Sequence, residues 1–262
     1  MTGFLASVTS AAEAELAMAG GADIIDLKDP QAGALGALPS SVIRDAVQVI
    51  AGRRTASATA GDLPMQPRVV ADAAARIAGL GVDIVKVGFF PGGDPEACIA
   101  ALGQLAAGGA RIVAVLFADT APDFALIDRL CDAGFAGAML DTADKRAGSL
   151  RRHMDDDRLG DFVDRVRRAG MISGLAGSLA LDDVAPLRRL RPDYLGFRGA
   201  LCSAGRTSAL DIARVRKVRG AIDGATGYQE SVARIATAVA GAQRAAHSLA
   251  AASPLTRSTK ST

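Results

Sequence analysis

Lysine is scarce in this chain: five occur in 262 residues, at positions 28, 86, 145, 217 and 260, and arginine carries the rest of the positive charge. Other scarcities exclude whole classes of function. Three isolated cysteines, Cys98, Cys131 and Cys202, have no CxxC spacing, which argues against a disulfide framework or a thiolate metal site and for a reducing compartment. The two histidines, His153 and His247, lie far apart without an acidic cluster and are expected on helix surfaces, not at a metal. Cys202 has no histidine near it in the pattern and is expected to be a packed small residue, not a nucleophile. Net charge is only +2, with arginines scattered among acids, so no phosphate-backbone footprint for nucleic acid is present. No apolar run reaches the roughly 18 residues of a membrane span, and the first residues show no basic segment leading into a long apolar one. A soluble, cytoplasmic protein is expected. Nor does any GxGxxG follow the first strand-like run, which removes the support for a dinucleotide-binding fold.

What is present is a regular alternation. Strand-like runs at 4–8, 22–28, 55–61, 82–88, 111–119, 136–142, 171–177 and 194–199 are separated by Ala/Leu/Arg-rich stretches at helical spacing near 10–20, 40–51, 68–80, 95–106, 122–133, 157–169 and 181–190, with an eighth near 209–217. The recurrent junctions AGGAD, LGVD and AGFAG place a glycine after the helix and an apolar strand just beyond. Eight such units in about 220 residues predict an α/β fold, a closed (β/α)8 TIM barrel, in preference to an open doubly wound sheet. The expected catalytic barrel spans 1–225. Residues 226–251, alanine-rich and amphipathic, are expected to form an additional C-terminal helix packed on the barrel or on a neighbouring subunit, which makes a homo-oligomer the expected assembly. The tail, 252–262, has little to bury and is expected to be disordered.

A barrel gives the scarce lysines a geometric meaning, because such enzymes build their sites at the carboxyl ends of the strands. Lys28 ends the second strand-like run, Lys86 lies in the last turn of the fourth, and Lys145 follows the sixth by three residues. The three are expected to converge, with Asp26 and Asp141 on the same strand ends and Thr59, Asp62 and Asp119 around them. Lys217, on an outer helix, and Lys260, in the tail, are expected to stand apart. Arginine cannot lose its proton in a protein; lysine can, and a desolvated amine beside another ammonium is the arrangement a Schiff base needs. A solvated or salt-bridged rim lysine is the plainer alternative, strongest for Lys145 in the polar run DTADKRAGS. Opposite them, the turns LAGSL and GFRGA end the seventh and eighth runs. Gly177, Ser178, Arg198 and Gly199 are expected to grip a phosphate there, since tight turns alone require the glycines but neither Ser178 nor Arg198.

Six motifs in order, GGADIIDLKDPQAGALGA, SATAGDLP, DIVKVG, AMLDTADKRAG, LAGSL and DYLGFRGALC, resemble the (5-formylfuran-3-yl)methyl phosphate synthases over residues 4 to 217. The resemblance implies a carbon-oxygen lyase of methanofuran biosynthesis that condenses two molecules of glyceraldehyde 3-phosphate with loss of water and one phosphate. It carries the Schiff-base lysine onto Lys28 and the proton-accepting lysine onto Lys86, with Asp26, Asp141 and Lys145 in support. No metal or organic cofactor is implied, and the partner is the triose phosphate itself. The alanine-rich extension departs from the archaeal pattern. A class I aldolase acting on another phosphorylated sugar would need the same imine lysine and phosphate grip, and a non-catalytic barrel would bind a phosphorylated ligand without turnover.

Overall fold

The computed structural model describes residues 2–224. Eight strands, β1 (Gly3–Val8), β2 (Ile24–Leu27), β3 (Thr55–Thr59), β4 (Ile84–Phe89), β5 (Ile112–Phe117), β6 (Gly137–Asp141), β7 (Ile172–Leu175) and β8 (Tyr194–Phe197), pair in sequence order into one sheet. Every pairing is parallel, and β8 returns to β1 with Gly3 opposite Tyr194 and Ala6 opposite Phe197. The sheet is therefore a closed (β/α)8 barrel, as the alternation predicts. Strands buried on both faces must be apolar almost throughout, which is why runs such as IVAVLF of β5 show no polar alternation.

Between the strands lie α1 (Ala11–Ala19), α2 (Ser40–Ile50), α3 (Pro67–Ala78), α4 (Pro95–Ala107), α5 (Leu126–Asp132), α6 (Leu150–His153), α7 (Asp156–Arg168), α8 (Val184–Arg189) and α9 (Ile212–Asp223). Their starts are chemically marked. Ser10, Asp94 and Asp155 accept hydrogen bonds from the amides of Glu13, Ala97 and Arg158, and prolines occupy the first turns of α3 and α4, where the missing N–H costs nothing. α9 begins three residues later than expected: Cys202 and Leu210 form a short antiparallel bridge, so the helix opens at Asp211, whose carboxylate accepts from the amides of Ala213 and Arg214. α5 also starts late, because Asp123 turns the chain by accepting from the Ala125 amide. The one-turn α6 has too few residues to show a helical period in sequence.

Two apolar layers result. The larger lies between barrel and helices, with Phe4, Ile25, Val85, Leu116 and Leu195 pointing outward from the strands. The smaller fills the barrel interior with Leu5, Ile24, Ile84, Val113, Ile172 and Tyr194. Two residues farther along the strands the interior becomes polar: Ser7, Asp26, Ser57, Lys86 and Asp141 are all buried. Successive inward positions alternate, so this polar layer sits directly on the apolar one, at the carboxyl end of the barrel. Among the described residues no helix is long and apolar enough to cross a membrane. The expected C-terminal helix and tail lie outside the described residues.

Candidate active site

Register assembles the first half of the site. Ser7 of β1, Asp26 of β2 and Ser57 of β3 are aligned across the sheet, and Thr59 is aligned with Lys86 of β4. Asp26, fully buried, accepts from Ser7 Oγ at 2.9 Å and Lys86 Nζ at 2.9 Å on one oxygen and from Ser57 Oγ at 2.7 Å on the other. Burial alone would raise this carboxyl, but the Lys86 and Lys28 ammoniums and the Ser57 bond outweigh it and hold it below the ordinary carboxylate value. A buried ion pair with both carboxylate oxygens hydrogen-bonded is well satisfied and fixed in position.

The second half forms at β6. Asp141 lies against both Lys145 and Lys28, the latter with Nζ 3.7 Å from Oδ2, and also accepts from the Thr142 amide at 2.8 Å. Its burial is again overcome, here by the two ammoniums and these hydrogen bonds, and the carboxyl is held at about 2. Lys28 responds in the opposite sense. Only 6% exposed, its amine is brought down to about 8 by desolvation, with the neighbouring charges of Lys145 and Lys86 adding to the effect and those of Asp141 and Asp26 opposing it. The three scarce lysines thus meet in one pocket, two pressed on a carboxylate apiece and the third free enough to be a nucleophile at moderate pH.

Loop carboxylates hold this cluster in place. Asp62 accepts from the amides of Ala34 at 2.8 Å and Leu35 at 2.6 Å, drawing the segment after β2 over the barrel mouth so that Leu35 is fully buried. Gly33 has φ +121, and a Cβ there would lie 2.1 Å from an Asp62 oxygen, so only glycine allows the approach. Thr59 Oγ1 donates to the Gly36 carbonyl at 2.9 Å, tying down the same segment. Asp119 accepts from the Ala143 and Asp144 amides, both at 2.8 Å, and so fixes the turn that delivers Lys145.

The turns after β7 and β8 line the same cavity, which has a volume of about 800 Å³. Gly177 and Ser178 both have positive φ, and Ser178 Oγ donates to the Lys145 carbonyl at 3.1 Å. Gly199 opens a short 3-10 turn, Gly199–Leu201, whose first amides have no partner within the turn. Arg198 is brought to the mouth but differs from the expected arrangement. All five of its N–H donors are engaged within the protein: Nε with Arg206 O, Nη1 with Ser7 O and Glu13 Oε2 at 2.5 Å, and Nη2 with Glu13 Oε1 and Ser208 O. Its fork locks α1, β8 and the segment before α9 together.

Arg206 lines the cavity with a guanidinium that makes one hydrogen bond among the described residues, to the Gly33 carbonyl at 3.1 Å. Neither it nor Ser7 is marked by a motif, and Ser57 opens the SATAGDLP motif without being singled out there; only the inward parity of the two serines on their strands could have pointed to them. Lys217 was expected to stand apart and does not: with Arg214 it lines the cavity from α9. Cys202 is a packed residue, its Sγ donating to the Arg198 carbonyl. Among the described residues no cluster of three or more histidine, cysteine or carboxylate side chains is spaced to hold a metal.

The family model described as 4-HFC-P synthase matches residues 4–219, nearly the whole described barrel. The chain belongs to this family. A (5-formylfuran-3-yl)methyl phosphate synthase from Methanopyrus kandleri is 36% identical over 218 residues, covering 77% of this chain and 90% of its own length. A Methylorubrum extorquens protein, to which the same name is given provisionally, is 48% identical over 214 residues, 80% of this chain and 87% of its own. Among solved structures, a phosphoribosyl anthranilate isomerase aligns with a TM-score of 0.59 at 14% identity over 86% of this chain and all of its own. A 3-hexulose-6-phosphate synthase aligns with a TM-score of 0.56 at 17% identity over 84% of this chain and 99% of its own. At such identities these two share the barrel and nothing more specific. The family match ends within α9, at residue 219.

Proposed function

We propose that the chain is the lyase that condenses two molecules of glyceraldehyde 3-phosphate to (5-formylfuran-3-yl)methyl phosphate in the pathway to methanofuran or its analogue. One observation carries the reading: a lysine, Lys28, is buried at a strand end with its amine lowered to about 8, between two carboxylates that are each tied to a second lysine. The family to which the chain belongs supports the product, and glyceraldehyde 3-phosphate is the substrate that the resemblance implies.

Neutral Lys28 attacks the carbonyl of the first triose phosphate, in its aldehyde form or after isomerisation to the ketone, and water leaves as the imine forms. The iminium draws electrons from the adjacent carbon, whose proton passes to the Lys86–Asp26 pair, the amine accepting it after handing its own proton to Asp26, and the resulting enamine carbon bonds to the aldehyde of the second molecule. Asp26 holds Lys86 at the position where that proton arrives. Lys145 and Asp141 serve the later eliminations, as donor and acceptor for the departing phosphate and water. Imine hydrolysis regenerates Lys28, and ring closure with dehydration gives the furan. Atoms balance for two trioses as one furan aldehyde phosphate, one phosphate and two waters. No oxidant or reductant is needed.

The substrate phosphate is gripped by the amides around Gly177, Ser178 and Gly199, where small residues at positive φ or at the start of a turn expose N–H groups. The charge that Arg198 was expected to contribute comes from Arg206, since the Arg198 fork is committed to Glu13. Three free cysteines fit a reducing cytoplasm. The test is incubation of purified protein with glyceraldehyde 3-phosphate, followed by ultraviolet absorbance and product mass. A conjugated furan aldehyde phosphate supports the reading. A hydroxy-ketone or sugar phosphate would make the chain a class I aldolase, and binding without turnover would make it a non-catalytic barrel.

A further inference from the structure

The cavity does not end at the lysines. It runs on to α9, where Ala213, Arg214, Lys217 and Val218 form one wall at the i, i+1, i+4, i+5 spacing of a single helix face. Val215 and Val218 are buried and anchor the helix, while Arg214 and Lys217 are exposed. Among the described residues neither of these two cations has an ion-pair partner. Their neighbour Arg219 is paired with Asp23 and Asp223 on the other face of α9, and Asp211, at the start of the helix, spends its carboxylate on the amides of Ala213 and Arg214.

Charge in the cavity points the same way. Seven cationic side chains line it, Lys28, Lys86, Lys145, Arg198, Arg206, Arg214 and Lys217. Three buried carboxylates neutralise part of this: Asp26 takes Lys86, Glu13 takes Arg198, and Asp141 is shared by Lys28 and Lys145. Arg206, Arg214 and Lys217 remain without an ion pair among the described residues, with one charge of the shared pair, and Asp62 and Asp29 offset part of the Arg206 charge from a greater distance. A single phosphate dianion at the β7 and β8 turns would leave about half of that excess unmatched. A volume of about 800 Å³ is near the top of the roughly 300–1,000 Å³ range of small-molecule sites and is more than one three-carbon phosphate fills.

We propose that Arg214 and Lys217 form a second phosphate subsite, which holds the phosphate of the second triose while the first occupies the turns after β7 and β8. This rests on the two-substrate reading above and adds to it where the second molecule is held. Two charged contacts at the rim orient the incoming aldehyde toward the enamine, so its attack proceeds between two bound partners. The amides at the start of α9 take no part, since Asp211 already occupies those of Ala213 and Arg214.

The test is calorimetric titration of the full chain with glycerol 3-phosphate, which carries the phosphate but no carbonyl and cannot form an imine. The wild-type chain is expected to bind two equivalents. Arg214→Ala/Lys217→Ala is expected to keep one equivalent at unchanged affinity, which also shows that the barrel is folded, and to weaken the other by about ten- to a hundredfold. Arg214→Lys/Lys217→Arg is expected to retain both. One equivalent in the wild type, two unweakened equivalents in the double alanine variant, or loss of both would each overturn the subsite. In turnover, the double alanine variant is expected to raise KM with kcat little changed, while borohydride trapping on Lys28 keeps its concentration dependence. If two equivalents bind as described but glyceraldehyde 3-phosphate yields no furan, the subsite stands and the proposed reaction falls.

Discussion

Lys28 offers the sharpest quantitative test, because its neighbours pull its amine in opposite directions. An ordinary lysine near 10.5 is neutral in only about one molecule in 3,000 at pH 7; at about 8 the fraction is about one in ten, a gain of roughly 300-fold in nucleophile. Asp141, 3.7 Å away, opposes that gain. At effective dielectrics between about 80 and 20, a pair at this distance is worth roughly 1 to 4.5 kcal/mol, or between about one and three pH units. Asp141→Asn removes that attraction and also leaves the Lys145 ammonium unopposed, so both consequences lower Lys28. Lys145→Met removes a repelling charge and raises it. The assay is the initial rate of borohydride trapping of glyceraldehyde 3-phosphate between pH 6 and 10, with the adduct located by peptide mass. The midpoint is expected near 8 in the wild type, at least one pH unit lower in Asp141→Asn, and higher in Lys145→Met. Shifts of the same sign in both variants, or none in either, would refute the electrostatic account; adduct only on another lysine would remove Lys28 from the mechanism.

The same depressed amine makes the site a stability liability. The unfolded chain holds the Lys28 proton up to about 10.5 and the folded one releases it near 8, so the cost of burying the charge is fully present below pH 8 and disappears as pH rises toward 10.5. Lys28→Met is therefore expected to be more stable than the wild type by about 3 kcal/mol at pH 7, with the gap closing between pH 8 and 10.5, as denaturant unfolding will show. Lys86→Gln is expected to leave borohydride trapping on Lys28 intact while cutting turnover by about 10²–10⁴-fold, the usual worth of a positioned proton acceptor; near-normal turnover would return Lys86 to a structural role. Arg198→Ala strands the buried Glu13 carboxylate and is expected to cost about 3–5 kcal/mol of stability. Arg206→Ala is expected instead to raise KM for glyceraldehyde 3-phosphate by about ten- to a hundredfold without a comparable loss, so a large stability loss in Arg206→Ala with KM unchanged would exchange the two assignments.

The sequence by itself determined the barrel and the lysine cluster. Eight apolar runs, each followed by a helical stretch that in all but one case, α8, ends at a glycine, admit few topologies, and a (β/α)8 barrel fixes which end of every strand faces the mouth. Lys28, Lys86, Asp26 and Asp141 were legible because each lies on or directly after a strand, where position along the chain translates into position in space. Arginine's predominance elsewhere singled out the lysines. The tertiary structure decided the rest, because an ion pair between residues 185 positions apart leaves no local trace: Glu13 meets Arg198 only once the barrel has closed β8 onto β1. That closure commits the Arg198 fork to Glu13 and leaves Arg206, a loop residue without periodicity, lining the cavity. Lys217 read as an outer-helix residue from its place after the last strand; α9 packs on α1, α8 and β1, with Val215, Val218 and Ile222 buried beneath it, and this packing brings Arg214 and Lys217 to the cavity. A helical period gives which residues share a face, and only packing against the barrel settles what that face looks upon.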